Sequence, residues 1–135
     1  MPPLEIFFMT NVDFVLIDDS PLDIFIAQNI IDRLGLQGQV WSFENGKEAL
    51  DFLSAQPRPN PTLIFVDIQM PTMDGFETIT AIRKLGLNIP VIALTGSANQ
   101  DERDRLLAMG VNDYIIKPYH PHQLHHKLTQ LLKKQ

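Results

Sequence analysis

Five polar residues end or follow apolar segments of the chain, and their side chains could act together. They are Asp18, Asp19, Asp67, Thr95 and Lys117. Carboxylates that are forced together repel one another unless a proton or a cation neutralises them, so the three acids imply a divalent metal. Oxygen ligands without cysteine favour Mg²⁺, or Mn²⁺ in its place. A carboxylate nucleophile, a metal, an ammonium group and a hydroxyl are what phosphoryl transfer to a carboxylate would need.

A buried strand is expected to place the central acid. Leu63–Asp67 has four apolar, β-favouring residues before the acid, which is the pattern of a strand covered on both faces. The following residues include Pro71, which lacks an amide donor, and Asp74 before a glycine, so they predict a turn into a helix. Ligands gather at the carboxyl ends of strands in an open parallel sheet, and Asp67 stands at such an end.

The rest of the chain alternates between strand and helix patterns. The predicted strands are 12–17, 40–43, 63–67, 90–94 and 111–116. A helix is predicted after each strand, starting at Pro21, after Asn45, at Phe76, at Asn99 and at Pro121. Five strands alternating with five helices imply an α/β fold whose parallel sheet is covered on both faces and built from right-handed crossovers.

The first helix has clear start and stop signals. Ser20 is placed to cap it, Pro21 occupies its first position and Gly35 ends it. Six apolar residues keep helical spacing along it: Leu22, Ile26, Ala27, Ile30, Ile31 and Leu34.

Length, composition and charge exclude several classes of protein. The 135 residues fit one domain, and we expect an N-terminal extension over residues 1–11 and the domain over residues 12–135. The formal charge of −5 argues against a broad nucleic-acid-binding surface. No apolar run approaches the ~20 residues that span a bilayer. Without cysteine there is neither a disulfide framework nor a thiolate metal site, and a cytoplasmic protein is expected.

Simpler interpretations stay open for single residues. Any one of the three acids could be a loop cap or a solvated acid, and only their joint placement favours a site. Tyr114 could be ordinary strand packing. Four histidines crowd the last helix: His120, His122, His125 and His126. His122 and His126 have the spacing of a metal pair, but no third ligand is evident, so an exposed surface is the favoured interpretation.

Four motifs, in this order, resemble a known family, the response-regulator receiver domain of two-component signalling. They are Leu16-Ile17-Asp18-Asp19-Ser20, Phe65-Val66-Asp67-Ile68-Gln69-Met70-Pro71-Thr72-Met73-Asp74-Gly75, Ala93-Leu94-Thr95-Gly96 and Asp113-Tyr114-Ile115-Ile116-Lys117-Pro118. The similarity runs from about Asp13 to Leu132. It implies a flavodoxin-like, doubly wound five-stranded parallel sheet of the (βα)5 type with strand order 2-1-3-4-5.

The resemblance also implies a role for each site residue. Asp67 would accept a phosphoryl group from a phosphohistidine on a sensor histidine kinase or a histidine phosphotransfer protein. The implied metal ligands are Asp18, Asp19, Asp67 and the backbone carbonyl of Gln69. Lys117 and Thr95 would contact the phosphoryl oxygens, and Thr95 with Tyr114 would form the switch. The implied hydrolysis-tuning residues are Gln69 and Ser97.

A changed surface would pass the signal to a downstream protein. In the family this surface is made by the fourth helix, the fifth strand and the fifth helix, here Asn99 to Met109, Asp113–Ile116 and Pro121 to Leu132. No output domain follows the last helix, so a stand-alone receiver is expected. It would take part only in its own aspartyl phosphorylation and dephosphorylation, and it would contact neither nucleic acid nor a membrane directly.

Two other functions stay open for these residues. One is a Mg²⁺-dependent phosphohydrolase with an aspartyl nucleophile. It is the weaker hypothesis because enzymes of the haloacid dehalogenase type use an Asp-x-Asp pair, whereas Gln69 stands two residues after Asp67. The other is a flavin-binding module of the same topology, in which Asp18 and Asp19 would repel the flavin phosphate. Turnover of phosphate esters would favour the first, and yellow colour the second.

Overall fold

Most of the chain is described by a computed structural model, which covers residues 12–35, 37–57, 59–71, 73–96, 99–118 and 120–133. Two predictions, the N-terminal extension over residues 1–11 and the hydrolysis-tuning role of Ser97, lie outside the described residues. No helix in the described ranges is long and apolar enough to cross a membrane.

Five short strands form one parallel sheet in the order β2-β1-β3-β4-β5. They are β1 Phe14–Ile17, β2 Val40–Phe43, β3 Leu63–Asp67, β4 Val91–Thr95 and β5 Asp113–Ile116. The predicted α/β class and the flavodoxin-like order 2-1-3-4-5 are confirmed. Some strand ends differ from the predictions by one or two residues, because backbone pairing bounds a strand and apolar composition does not.

A helix follows each strand, as predicted. The helices are α1 Pro21–Asp32, α2 Gly46–Leu53, α3 Gly75–Lys84, α4 Gln100–Ala108 and α5 Pro121–Lys133. Each of the first four begins after a side chain whose oxygen accepts the backbone N–H three residues later; these caps are Ser20, Asn45, Asp74 and Asn99. Because these helices start near the carboxyl ends of the preceding strands, the caps also fix the loops that carry the polar residues.

Alternate residues of the strands face two cores, one on each side of the sheet. Phe14 and Phe65 belong to the core that α1 and α5 cover. Val15 and Ile64 belong to the other core, which α2, α3 and α4 cover. Since both faces are covered, the strands do not alternate with polar residues, which explains the continuous apolar run in β3.

Two apolar residues of the α1 stripe, Leu22 and Ile26, do not face the core. Their side chains are 67% and 36% exposed, and Phe25 between them is 62% exposed. The other members of the predicted stripe are buried: Ala27, Ile30, Ile31 and Leu34. A helix turns by about 100° per residue, which places Leu22 about 130° from the centre of that buried face. The sequence stripe was therefore wider than the face that the sheet can cover.

Candidate functional site

Three carboxylates meet at the carboxyl end of the sheet. Asp18 follows β1 and Asp67 ends β3, and the pairing of Ile17 with Val66 brings these two ends side by side. Asp18 and Asp67 are buried, whereas Asp19 is exposed. One oxygen of each carboxylate lies within 4.8 Å of the others. The structure thus brings together the three acids that the sequence places at the ends of two strands.

Lys117, at the end of β5, binds three carboxylates. Its Nζ lies 2.7 Å from Asp18 Oδ2, 2.8 Å from Asp23 Oδ2 and 3.4 Å from Asp67 Oδ2. Burial by itself would lower the pKa of Lys117. The hydrogen bonds to Asp18 and Asp23 and the negative charges of Asp18 and Asp67 outweigh burial, so the pKa is raised. Lys117 is therefore a fixed cation at this site.

Asp67 lies where its negative charge is costly. Burial, followed by the neighbouring charge of Asp18, raises the pKa of Asp67 from 3.8 to about 7. Two contacts act in the opposite direction: the N–H of Gln69 donates to Asp67 Oδ1 at 3.1 Å, and Lys117 supplies its positive charge. The result is a carboxyl group that is only partly ionised near neutral pH.

The donor set fits a divalent cation. It consists of carboxylate oxygens, which hard cations such as Mg²⁺ prefer. Burial and the negative charge of Asp18 together outweigh the effect of Lys117 on the pKa of Asp67, so the charged form of this carboxyl is not fully compensated. A bound divalent ion would complete that neutralisation, and Asp18, Asp19 and Asp67 are the side chains that would hold it.

The pKa of Asp67 predicts how stability depends on pH. The folded protein binds the Asp67 proton more tightly than the unfolded chain does, so this carboxyl makes folding less favourable as pH rises from 3.8 to about 7. Asp67→Asn removes this dependence. When the pH is raised from 4 to 8 without metal, the unfolding free energy of the wild type should fall by about 2–4 kcal/mol more than that of the variant. Urea unfolding at both pH values measures the gain, and an equal difference at the two pH values would contradict it.

The loop after β3 is held against the start of α3. The N–H of Gly75 donates to the carbonyl of Ile68 at 3.0 Å. A Cβ on Gly75 would overlap the backbone carbonyl of Asp67, so only glycine lets α3 begin this close to the acid. Gln69, whose backbone carbonyl and side chain are both candidate site groups, has an exposed side chain with its oxygen beside Gly96.

Thr95 ends β4 next to the acidic cluster. The ladder pairs Asp67 with Leu94, so Thr95 stands one residue beyond the partner of Asp67. The threonine is buried, and its hydroxyl donates to Oε1 of Glu102 in α4. Its backbone carbonyl accepts the N–H of Lys117 at 2.8 Å. The ends of β4 and β5 therefore bring a hydroxyl and an ammonium group to the same edge of the sheet.

Tyr114 lies in β5 and is half-buried. Its ring centroid is 5.7 Å from the guanidinium carbon of Arg103 and 5.6 Å from Nζ of Lys127. Lys127 Nζ also lies 2.8 Å from Asp113 Oδ1. The ring is thus within cation–π distance of one cation from α4 and one from α5. It links the three elements that are predicted to contact a downstream protein.

The histidines of α5 and its entry belong to no group of three or more possible metal ligands in the described part of the chain. His120, His122 and His126 are exposed and His125 is half-buried. Among the described residues, the one group of at least three possible metal ligands is the acidic cluster. The exposure of three of the four histidines fits the expected exposed surface.

Two residues of the site were missed by the sequence predictions. Asp23 contacts Lys117, and Glu102 contacts Thr95. Both occupy the first turn of a helix, three residues after the caps Ser20 and Asn99. An acid at this position is common because it interacts favourably with the helix dipole, so nothing in the sequence pointed to a second partner.

Known proteins that resemble this chain include members of two-component systems. A model of the response regulator receiver domain matches residues 14–129. The sensor histidine kinase GacS of Pseudomonas protegens is 34% identical over 113 residues, which are 80% of this chain and 12% of that protein. Two-component response regulator 24 of Arabidopsis thaliana is 33% identical over 104 residues, covering 77% of this chain and 72% of the plant protein. The chain thus matches a small part of the kinase and most of the plant regulator.

A solved structure shows the same similarity in three dimensions. The receiver domain of the Francisella response regulator 1452 superposes with a TM-score of 0.76 and 28% sequence identity, covering 92% of this chain and 98% of that one. This agrees with the strand order and with the four motifs. The chain belongs to the response regulator receiver domain family.

Proposed function

We propose that this protein is a phosphoacceptor response regulator in which Asp67 receives a phosphoryl group from a phosphohistidine. The observation that carries the proposal is the position of Lys117, whose ammonium lies 2.7 Å from Asp18 and 3.4 Å from Asp67. A buried carboxylate nucleophile therefore has a cation and further acids beside it. This set of groups suits phosphoryl transfer, in which positioning and electrostatic stabilisation do most of the work.

The transfer is a displacement at phosphorus. An oxygen of Asp67 forms the new bond to phosphorus, and the bond between phosphorus and the imidazole nitrogen breaks, with its electron pair leaving on the nitrogen. Lys117 contacts the phosphoryl oxygens, and the Thr95 hydroxyl donates to one of them. A Mg²⁺ ion held by Asp18, Asp19, Asp67 and the carbonyl of Gln69 would supply further positive charge for these oxygens.

A sensor histidine kinase or a histidine phosphotransfer protein is the proposed donor. The donor must approach the exposed edge of the site near Asp19, and the exposed side chains of Leu22 and Phe25 lie a few residues further along the chain in the first turns of α1. Such an apolar surface is suited to a protein partner.

Phe25→Asp is therefore expected to slow transfer from a phosphohistidine protein by at least about tenfold, the cost of losing one buried aromatic contact at an interface. Transfer from acetyl phosphate should stay unchanged. Arg33→Asp, on an exposed position at the other end of α1, is the matched control. Equal slowing with both donors would show that Phe25→Asp damages the phosphorylation site and does not act on docking of the donor protein.

The phosphoryl group would act as a switch for protein contacts. Thr95 touches α4 through Glu102, and Tyr114 touches α4 and α5 through Arg103 and Lys127. A shift of the Thr95 hydroxyl towards the phosphoryl group would change this α4-β5-α5 face. NMR chemical shifts of this face that change upon phosphorylation would support the proposal. Changes confined to residues around Asp18, Asp19 and Asp67 would contradict it.

Incubation with acetyl phosphate tests the function as a whole. With Mg²⁺ we expect one hydroxylamine-sensitive phosphoryl group per chain, and after chelation none. Repeated turnover of phosphate esters would instead favour the Mg²⁺-dependent phosphohydrolase.

The decay of the label in Gln69→Ala tests the hydrolysis-tuning role of Gln69, since an unchanged decay rate would show that its side chain has no such role.

A further inference from the structure

The Thr95 hydroxyl already has an acceptor in the absence of any phosphoryl group. Thr95 is buried at the end of β4, and its hydroxyl donates to Oε1 of Glu102. Glu102 is half-buried in the first turn of α4. A carboxylate acceptor makes this a charge-assisted hydrogen bond, which is about twice as strong as one between neutral groups.

The fold of α4 aims Glu102 at this contact. Asn99 caps the helix, and its side chain accepts the N–H of Glu102 at 2.8 Å. The cap therefore fixes the backbone of Glu102, and its carboxylate joins the start of α4 to the end of β4. The next residue, Arg103, has its guanidinium carbon 5.7 Å from the ring centroid of Tyr114. One turn of helix thus contacts both Thr95 and Tyr114.

We propose that Glu102 is a positioning residue that holds the Thr95 hydroxyl and competes with the phosphoryl group on Asp67 for it. The inference rests on the proposed function. A threonine hydroxyl has one proton, so it cannot make a full hydrogen bond to Glu102 and to a phosphoryl oxygen at once. When the Thr95 hydroxyl binds the phosphoryl group, its hydrogen bond to Glu102 must break. Glu102 therefore favours the unphosphorylated arrangement, and its release frees the first turn of α4.

Beryllofluoride, a stable mimic of a phosphoryl group on an aspartate, tests the competition. Its affinity is measured by fluorine NMR with saturating Mg²⁺ in the whole chain. Glu102→Ala should bind it about tenfold more tightly than the wild type, the factor expected for removing one charge-assisted hydrogen bond. Glu102→Gln keeps an acceptor without the charge and should lie between the two. Asp101→Ala removes an exposed acid from the same turn and should match the wild type.

The sign of the change separates this role from a structural one. If Glu102 only stabilised α4, its loss would weaken binding or leave it unchanged, and either result would overturn the inference. In a Thr95→Val background, Glu102→Ala should have no further effect, because the contested hydroxyl is gone. A tenfold gain that persists in that background would also overturn it. Failure of the wild type to bind beryllofluoride would instead contradict the proposed function.

Discussion

Phosphoryl incorporation is expected to fall below detection when Asp67 is replaced with asparagine. An amide lacks the anionic oxygen that must bond to phosphorus. Among the described residues, Asp18 is the one other carboxylate that is buried and contacts Lys117. Asp18 belongs to the proposed metal ligands, so it is not free to replace the nucleophile without loss of the metal. Acetyl phosphate with Mg²⁺, followed by acid precipitation and counting of bound phosphate, measures the effect.

Asp74→Asn is the matched control for this substitution. Asp74 lies in the loop after β3, and its side chain accepts the N–H of Glu77 at 2.9 Å as the cap of α3. Asparagine caps helices about as well as aspartate, so the variant loses one acid while α3 keeps its start. It should incorporate phosphate like the wild type. Loss of labelling in both variants would show that the loop, and not the Asp67 carboxylate, is what the reaction requires.

Replacing Lys117 with methionine should produce two changes of opposite sign. Lys117 is the cation between Asp18, Asp23 and Asp67. Its loss should slow phosphorylation by about 100-fold or more, the typical cost of removing one group that stabilises transition-state charge. The same loss removes a positive charge that opposes metal binding, so Mg²⁺ should bind about tenfold more tightly.

Measurement of both quantities on one preparation checks the Lys117 prediction. Calorimetry gives the Mg²⁺ affinity, and label incorporation gives the rate. Lys47→Met, which removes an exposed lysine paired with Asp51 on α2, should change neither. If Mg²⁺ affinity and rate fell together in Lys117→Met, Lys117 would support the fold of the site and the proposed electrostatic role would be wrong.

The sheet was predictable because its signals are local. Leu63–Asp67 carries a continuous apolar run with an acid at its end, and caps such as Ser20 and Asp74 mark the helix starts beside it. Parallel strands place their carboxyl ends at one edge, so the meeting of Asp18 with Asp67 follows from topology. The clustering of acidic side chains at that edge could therefore be predicted from the sequence alone.

Contacts between helices and the site were not predictable in the same way. Asp23 and Glu102 reach Lys117 and Thr95 only because α1 and α4 pack on the sheet at particular rotations. The rotation of α1 also decides the exposure of Leu22, since apolar periodicity defines a stripe but not how much of it the sheet covers. Tertiary packing decides both the contacts of Asp23 and Glu102 and the exposure of Leu22.

Chemical trapping of the phosphorylated residue tests the central claim most directly. After reaction with acetyl phosphate and Mg²⁺, borohydride reduces an aspartyl phosphate to homoserine, and peptide mass spectrometry locates it. The proposed function predicts homoserine at position 67 alone, and only when Mg²⁺ was present. Modification at Asp18 or Asp19 instead, or a phosphoryl group on one of the histidines of α5 with position 67 unchanged, would contradict it.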